Sequence, residues 1–554
     1  KMKKMISLFE KHKIFIKRQH VLNMLSEHLV KKEMLPALCY VFSRKQLEKC
    51  AHEITTNLLE FDSKIPYTVD HECEQIIRKL PNYQEYLNLP EYINVVELLR
   101  KGIGIHHAGM MPILREMIEI MFARGFVKLL FCTETMSVGI NLPVKTTIFT
   151  DVNKFNGTQL RNLHSHEYTQ AAGRAGRLGL DSVGHVIHLN NLFRNVNFIS
   201  YKNMMKGNPQ KLVSKFKISY NLLLNLVDIK NYNFTQFVNK SMIKENVNES
   251  INSILLEKRE LENKIAQKQQ GLCYFKTPIN LIEQYIEMSK NRLRCVNKKR
   301  KQIERDMSSL KVEHNSIEID AKEYNIIYEI KDQILDLDNE INGVSNYLNN
   351  GVNSVIKLLQ NENFIKVEND VFTLTTKGQI ANHLNEVHCL VFANLIETDM
   401  LTNLNATELI IVFSCFTNVN VPEDKRSINN NDKNLDFILS NCLKSNLDNY
   451  MNIESNSNFK TGMSSNMHYD LMPYMVDWIE AKSEEDCKMI LQRAEQEKDI
   501  FLGDFIKALL KINNIVFEME TIAQMIGNIP FLHELNKIRS LTLKYVVTNQ
   551  SLYV

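Results

Sequence analysis

The chain of 554 residues is too long for one hydrophobic core, and at roughly one domain per 100–200 residues it should fold as several units. Its 67 basic and 64 acidic residues leave a net charge of +3, so any contact with nucleic acid has to come from local basic faces. With 44% hydrophobic and 24% charged residues it is neither fibrous nor wholly disordered. Its ten cysteines lie singly, without a CxxC pair, which predicts reduced thiols in an intracellular compartment and no zinc site.

No apolar run reaches the roughly 18–20 residues of a membrane span, and no signal-peptide core follows Lys1 to Lys4. No membrane association is expected. A first residue of lysine fits a chain cut from something longer.

From residue 19 to about 190, short β-rich runs (Ala37 to Phe42, Val127 to Cys132, Thr146 to Asp151, Gly184 to Leu189) alternate with helical stretches such as 44–60 and 112–124. This alternation predicts a parallel α/β sheet with ligand-binding loops at the carboxyl ends of its strands. Residues 62–96 interrupt it and are expected to form a surface insertion. Between about 251 and 350, Ile327, Ile330, Ile334, Leu337, Ile341, Val344 and Leu348 keep a heptad that Ile251, Ile254, Leu261 and Ile265 also fit, predicting an antiparallel helical stalk. Its basic run, Arg292, Arg294, Lys298, Lys299, Arg300, Lys301 and Arg305, reads either as an RNA contact or, more blandly, as a solvated face. A helix (Val352 to Leu359), a hairpin (Phe364 to Leu374) and a helix after Gly378 suggest a small winged-helix remnant over 351–385. After 386 the pattern is helical, broken at about 418–435 and 443–466 by Asn- and Ser-rich stretches expected to be mobile loops.

The chemistry concentrates in Gln170-Ala-Ala-Gly173-Arg174-Ala-Gly176-Arg177. Two arginines three residues apart, on glycines that let the backbone come close, can aim two guanidinium forks at one triphosphate. Upstream, the strand ending at Cys132 runs into Thr133-Glu-Thr-Met-Ser-Val-Gly139-Ile-Asn141-Leu-Pro143, whose hydroxyls and backbone can meet a phosphate or a ribose. Earlier, Gly104-Ile-His106-His107-Ala-Gly109 precedes a helix opened by Pro112. Adjacent histidines on an extended segment point to opposite sides, so a phosphate contact from His107 or the backbone near Gly109 is preferred to zinc. Lys507 and Lys511 stand four apart on one predicted helix face, suited to a nucleic-acid strand or simply to solvent.

In this order, Val41-Phe-Ser43-Arg44, IHHAGMMPILREMIEIMF, LLFCTETMSVGINLP and EYTQAAGRAGR resemble motifs IV to VI of the superkiller-type DExH-box RNA helicases of superfamily two. Leu212 to Leu224 resembles the entry to that family's winged helix. Gly503-Asp-Phe-Ile-Lys507 and Ser551-Leu-Tyr553 resemble its C-terminal helical (DSHCT-like) domain. The last arginine of the family's GRAGRRG is here Leu178. The resemblance implies a second RecA-like domain over 1–195, winged-helix parts at 196–250 and 351–385, a coiled-coil stalk at 251–350 and a helical bundle at 386–554.

It further implies ATP-driven 3′-to-5′ translocation on single-stranded RNA with a 3′ overhang, in RNA processing or decay, with an RNA-decay complex as partner. Gln170, Arg174 and Arg177 would face the γ-phosphate, and Gly139, Asn141, Gly173 and Gly176 would lie near the nucleotide. Ser43, Arg44, His107, Gly109 and Thr133 would touch the RNA backbone. The stalk is read as too short for the globular head of some relatives. The sequence holds no GxxxxGK[ST] and no Asp-Glu-x-His, the elements that cradle the phosphates and hold magnesium. ATP and Mg2+ therefore require a first RecA-like domain, before Lys1 or on another polypeptide, and the chain alone is expected to be inactive. Two rivals are a helicase-derived scaffold without a motor and a repair-type DNA helicase.

Overall fold

The fold comes from a computed structural model that describes every residue except 1–7, 9–10, 13–16, 60–63, 138–143, 156–158, 191, 193–196, 208–211, 213, 231, 270–275, 295–296, 370, 428–436, 458, 464–465, 549 and 554. The chain divides into two compact units, one of residues 1–211, 383–449 and 464–554, the other of 212–382 and 450–463.

The first unit opens with α1 (Arg18–Lys31), β1 (Ala37–Tyr40), α2 (Arg44–His52), α3 (Ile65–Ile77), α4 (Tyr83–Leu87), α5 (Pro90–Leu99), β2 (Ile103–His106), α6 (Pro112–Ala123) and β3 (Leu129–Cys132). It continues through β4 (Thr146–Phe149), the hairpin β5 (Asn153–Phe155) and β6 (Leu160–Asn162), α7 (Ser165–Ala172), β7 (His185–His188) and α8 (Phe198–Lys206). Among the described residues the main sheet has five strands in the order β2-β3-β1-β4-β7, every pair parallel. All residues of β1, β2, β3 and β4 are buried, as strands covered on both faces require. Helix α6 starts with Pro112 in its first turn, where a missing N–H costs nothing, and buries Ile113, Leu114, Met117, Ile118, Met121 and Phe122.

From residue 64 on, the stretch 62–96 expected to be a surface insertion is packed helix, residues 62–63 lying outside the described residues. Helices α3, α4 and α5 bury Val69, Cys73, Ile77, Tyr86, Val95 and Leu99, and α5 leads directly into β2. Their apolar spacing was helical, but two connections in a row without a strand hid that they belong to the core.

The second unit holds α9 (Tyr220–Asp228), α10 (Phe234–Asn239), α11 (Ile243–Gln269), α12 (Ile279–Arg294), α13 (Asn297–Glu313), α14 (Ile317–Asn361), the antiparallel hairpin β8 (Ile365–Glu368) and β9 (Val371–Leu374), and α15 (Thr376–Asn382). Helix α9 packs against α15, β9 and α14. Helices α11 and α14 run side by side, tied by Lys258 Nζ to Asp338 Oδ1 at 2.6 Å. The heptad positions Ile334, Leu337, Ile341 and Val344 are only half-buried, as a two-helix seam dictates.

The stalk is more than this pair. At its far end Ile282, Tyr285, Ile286, Met307, Ile317, Ala321, Tyr324 and Ile327 form an apolar cluster in which α12 and α13 fold onto the start of α14. Buried Asp320 accepts the Thr277 backbone N–H at 3.0 Å and fixes the segment entering α12. The distal end of the stalk is thus a small helical tip with its own core.

The chain returns to the first unit with α16 (Cys389–Glu397), α17 (Ala406–Ser414), α18 (Phe437–Asn456, whose residues from 450 on belong to the second unit), α19 (Met472–Glu480), α20 (Glu484–Lys498), α21 (Leu502–Ile526) and α22 (Ile529–Thr542). The Asn- and Ser-rich stretch expected to be a loop from 443 is helical to Asn456, because Leu443, Leu447 and Tyr450 recur on one buried stripe among polar neighbours. Residues 428–435 of the other polar stretch lie outside the described residues. Helices α21 and α22 meet at Gly527, whose φ of 71° is the left-handed C-cap conformation. Buried Trp478 on α19 lies tilted against Phe505, ring centres 5.2 Å apart, and donates its indole N–H to the Thr542 carbonyl at 3.1 Å. Among the described residues no helix is long and apolar enough to cross a membrane.

Candidate functional site

Helix α7 begins in a capping box, with the Glu167 side chain accepting the His164 backbone N–H at 2.8 Å. Glu167 also takes Arg161 Nη1 at 2.8 Å and Lys154 Nζ at 2.8 Å, so the β5–β6 hairpin is tied to the first turn of α7. Burial would push this carboxyl up, but the hydrogen bonds from Arg161 and Lys154 overcome it and hold it far below the usual range. Along its length α7 rests on the sheet through rings: Phe149 lies 5.2 Å from Tyr168, and the Tyr168 hydroxyl is 3.1 Å from His188 Nε2. Burial pushes the His188 imidazole down.

The helix ends at Gly173, and the arginines follow in a turn stitched to the edge of β4. The Val144 N–H donates to the Arg174 carbonyl at 3.2 Å, and the Gly176 N–H donates to the Val144 carbonyl at 2.6 Å. Gly176 has a φ of 95°, and a Cβ on Gly184 would meet the Ala175 carbonyl oxygen at 2.4 Å. Only glycines let the turn sit this close to the strand that follows it. Arg177 Nε donates to Asp181 Oδ2 at 2.7 Å and Nη2 to Oδ1 at 2.8 Å, a forked pair that drives the Asp181 carboxyl down to about 2. Arg174 is half-buried, whereas Gln170 and Gly173 are exposed. The structure therefore puts Gln170 in the last turn of α7 and Gly173, Arg174, Gly176 and Arg177 in the turn that follows it; Gly139 and Asn141 lie outside the described residues.

The residues matched to RNA contacts separate into two groups. Ser43 is exposed at the start of α2 and borders a groove of about 550 Å³ at the carboxyl ends of β1 and β4, with Arg18, Gln46, Asp151 and Lys154. Arg44, His107 and Gly109 are instead covered by the C-terminal helices. The Arg44 guanidinium is bound by Asp504 and lies 5.7 Å from the centre of the Phe501 ring, which also packs over Gly109. The Gly503 N–H, an otherwise unused donor of the first turn of α21, reaches the Gly109 carbonyl at 2.9 Å. A Cβ on Gly503 would lie 2.2 Å from the Met110 carbonyl oxygen, so no other residue fits there.

His107 corrects the expectation of a phosphate contact from its ring. It is 0% exposed, with Nε2 3.0 Å from Glu48 Oε1 and Nδ1 accepting the Gly109 N–H at 3.2 Å. Both nitrogens are used inside the protein because α21 covers the end of β2. Thr133 is also buried, its N–H donated to the His106 carbonyl at 3.3 Å. Lys507 donates to the Ala108 carbonyl and lies 3.7 Å from Asp504, while Lys511, one turn on, is half-buried. A cavity of about 170 Å³ beside His107 collects Glu48, Glu91 and Glu495, and burial raises the carboxyls of Glu91 and Glu495.

Sequence reasoning missed the partners that close this joint. Glu116 accepts the Ser551 hydroxyl at 3.0 Å and the Leu552 N–H at 2.6 Å; Glu119 accepts the Tyr553 hydroxyl at 2.6 Å and lies 2.7 Å from His106 Nε2. Burial acts to raise the Glu119 carboxyl, yet these hydrogen bonds prevail and lower it. Both ends of this contact stood in the quoted motifs, but only folding brings positions so far apart together.

A parallel sheet whose last crossover carries a glycine-spaced pair of arginines fits a helicase motor domain. Residues 73–179 match the family model described as the helicase conserved C-terminal domain, and residues 372–549 that of the DSHCT (NUC185) domain. The chain is 36% identical over 265 residues to antiviral helicase SKI2 of Saccharomyces cerevisiae, covering 47% of this chain and 20% of that one. It is 36% identical over 218 residues to exosome RNA helicase MTR4 of Homo sapiens (38% and 20%), and 38% identical over 204 residues to ATP-dependent RNA helicase mtr4 of Schizosaccharomyces pombe (36% and 17%). The matches thus span about a fifth of the length of these relatives. Together the two domain matches and these relatives support reading the chain as the C-terminal part of a superkiller-type, Ski2-like DExH-box RNA helicase.

Proposed function

We propose that this chain is the C-terminal motor half of an ATP-dependent RNA helicase that translocates 3′-to-5′ on single-stranded RNA and serves RNA processing or decay inside the cell. The arginine turn carries this reading. Arg174 and Arg177 sit on a backbone fastened to β4, and Arg177 is oriented by Asp181, with exposed Gln170 beside them. Such a donor set fits a polyanion, and guanidinium groups placed in advance neutralise the charge that grows during phosphoryl transfer. Bound ATP would supply the phosphoryl bond whose cleavage drives movement. The magnesium ligands belong to a first RecA-like domain in this reading: Asp181 is spent on Arg177, and among the described residues no group of His, Cys, Asp and Glu is placed to hold a metal.

RNA would follow the open groove bordered by Ser43, and the helix–hairpin cluster of α9, α14, α15 and β8–β9 is read as a winged helix interrupted by the stalk. The partners are a first RecA-like domain and an RNA-decay complex. In a protein joining this chain to a first RecA-like domain, Arg174→Ala or Arg177→Ala should lower ATP turnover roughly a thousandfold or more, the scale of a lost arginine finger, with RNA affinity measured without nucleotide unchanged. This chain by itself should show no RNA-stimulated turnover. Weakened RNA binding with intact turnover would overturn the assignment.

A further inference from the structure

Arg177 meets Asp181 along one edge only. Its Nε and Nη2 donate to the two carboxylate oxygens at 2.7 and 2.8 Å, and its backbone N–H adds a bond to Oδ2 at 3.0 Å. A guanidinium carries five N–H groups in one plane, so this fork leaves a second edge outside the pair, Nη1 with the remaining N–H of Nη2. The Asp181 side chain is 4% exposed and that of Arg177 29%, so the pair is shut on the acid's side and open on the arginine's. The loop between them is closed as well. The Leu180 and Asp181 N–H groups both donate to the Arg177 carbonyl at 3.0 Å, around Gly179 at a φ of 78°. On either side the chain is bonded to the start of β4, through the Gly176 N–H to the Val144 carbonyl and the His185 N–H to the Lys145 carbonyl.

A carboxylate on an arginine has two possible uses. It masks the arginine until a phosphate displaces it, or it holds the arginine in place for the phosphate. A mask has to cover the outer tip of the guanidinium, whereas Asp181 takes the edge nearest the backbone and leaves the tip open. We propose that Asp181 is a positioning residue of the ATPase centre, holding Arg177 so that its Nη1–Nη2 tip meets the phosphoryl group being transferred. An arginine fixed in advance loses no orientational freedom when charge develops on that group. The proposal rests on the arginine-turn reading and adds to it a residue that itself touches no substrate.

The test is RNA-stimulated ATP turnover by a protein that joins this chain to a first RecA-like domain. Asp181→Asn keeps the shape of the side chain but turns an amide donor toward a guanidinium donor. It should lower kcat about a hundredfold, the scale of a reacting group displaced by about 1 Å, and leave the KM for ATP within about twofold. Asp181→Glu, which retains the carboxylate, should recover part of the loss. Asp181→Asn placed on Arg177→Ala should be no slower than Arg177→Ala alone, because two residues that act as a unit are lost together. A carboxylate that merely holds the loop folded would instead slow the Arg177→Ala protein further, so this comparison decides even where Asp181→Asn lowers the melting temperature. Parent turnover in Asp181→Asn, a raised KM with kcat kept, or a full second loss on the Arg177→Ala background would each overturn the proposal and leave the arginine reading standing. A faster Asp181→Asn would overturn it in favour of a mask. Parent turnover in Arg177→Ala would bring down the arginine reading, and this proposal with it.

Discussion

Arg44 and Asp504, 460 positions apart, form a partly buried ion pair that fastens the first turn of α2 to the first turn of α21. One partner stands in a motor motif expected to touch RNA, the other in the C-terminal helices. Asp504→Ala should cost about 1.5–3 kcal/mol, the range for a hydrogen bond to a charged group, measured by urea unfolding. The same variant should bind RNA more tightly, because Arg44 is released and Lys507 loses a neighbouring anion. Arg44→Ala should lose similar stability without that gain. Equal RNA affinity in both variants would make the pair a joint and nothing more.

Deleting residues 551–554 should destabilise the first unit by about 2–4 kcal/mol, since Glu116 and Glu119 lose charge-assisted partners at once. Glu116→Ala should reproduce most of the loss, and combining the two changes should add little. Thermal unfolding reads all three; full additivity would mean that the tail does not hold to α6 in solution.

The carboxyls near this joint give opposite pH dependences. Glu119 is lowered in the fold, so its contribution is fully present above the unfolded value of about 4.3 and is lost as pH falls through the lower folded value. Glu119→Gln should therefore flatten the acid end of the stability profile. Glu91 and Glu495 are raised by burial and by neighbouring carboxylates, so the folded state takes up protons first and gains stability as pH falls toward that same unfolded value. Glu495→Gln should raise the melting temperature at pH 7 and reduce this gain. A profile that Glu495→Gln leaves unaltered would remove Glu495 from the set.

Replacing residues 255–340 with a short linker should leave the second unit folded, because Lys258 and Asp338 already bring the two cut ends together. In a protein with both motor domains, RNA-stimulated ATP turnover should persist and cooperative unfolding should remain. Loss of either would place the stalk in the core or in the catalytic cycle.

The strands and the arginine string were legible because both are local: buried parallel strands are short apolar runs, and a glycine-spaced arginine pair has few other uses. The stalk helices were legible from their heptad. Their tip was not, since Ile282, Tyr285 and Met307 make a cluster only when three helices fold together. The helix from Leu443 to Asn456 was hidden by its composition, because asparagine and serine signal loops even where a buried stripe overrides them. The burial of His107 was invisible for another reason: its cover, Phe501, comes from 394 positions away.

The bridge between Val144 and Ala175 has a mechanical consequence. With its N–H and its carbonyl both spent on the arginine turn, Val144 makes that turn a stub of sheet, as stiff as the strand beside it. The backbone that carries the arginines is then not a flexible arm. If the arginines act on a nucleotide as proposed, they would approach it by movement of the whole domain, and pull on the turn would be borne along β4 into the body of the sheet, the domain serving as a lever whose short end is the guanidinium pair.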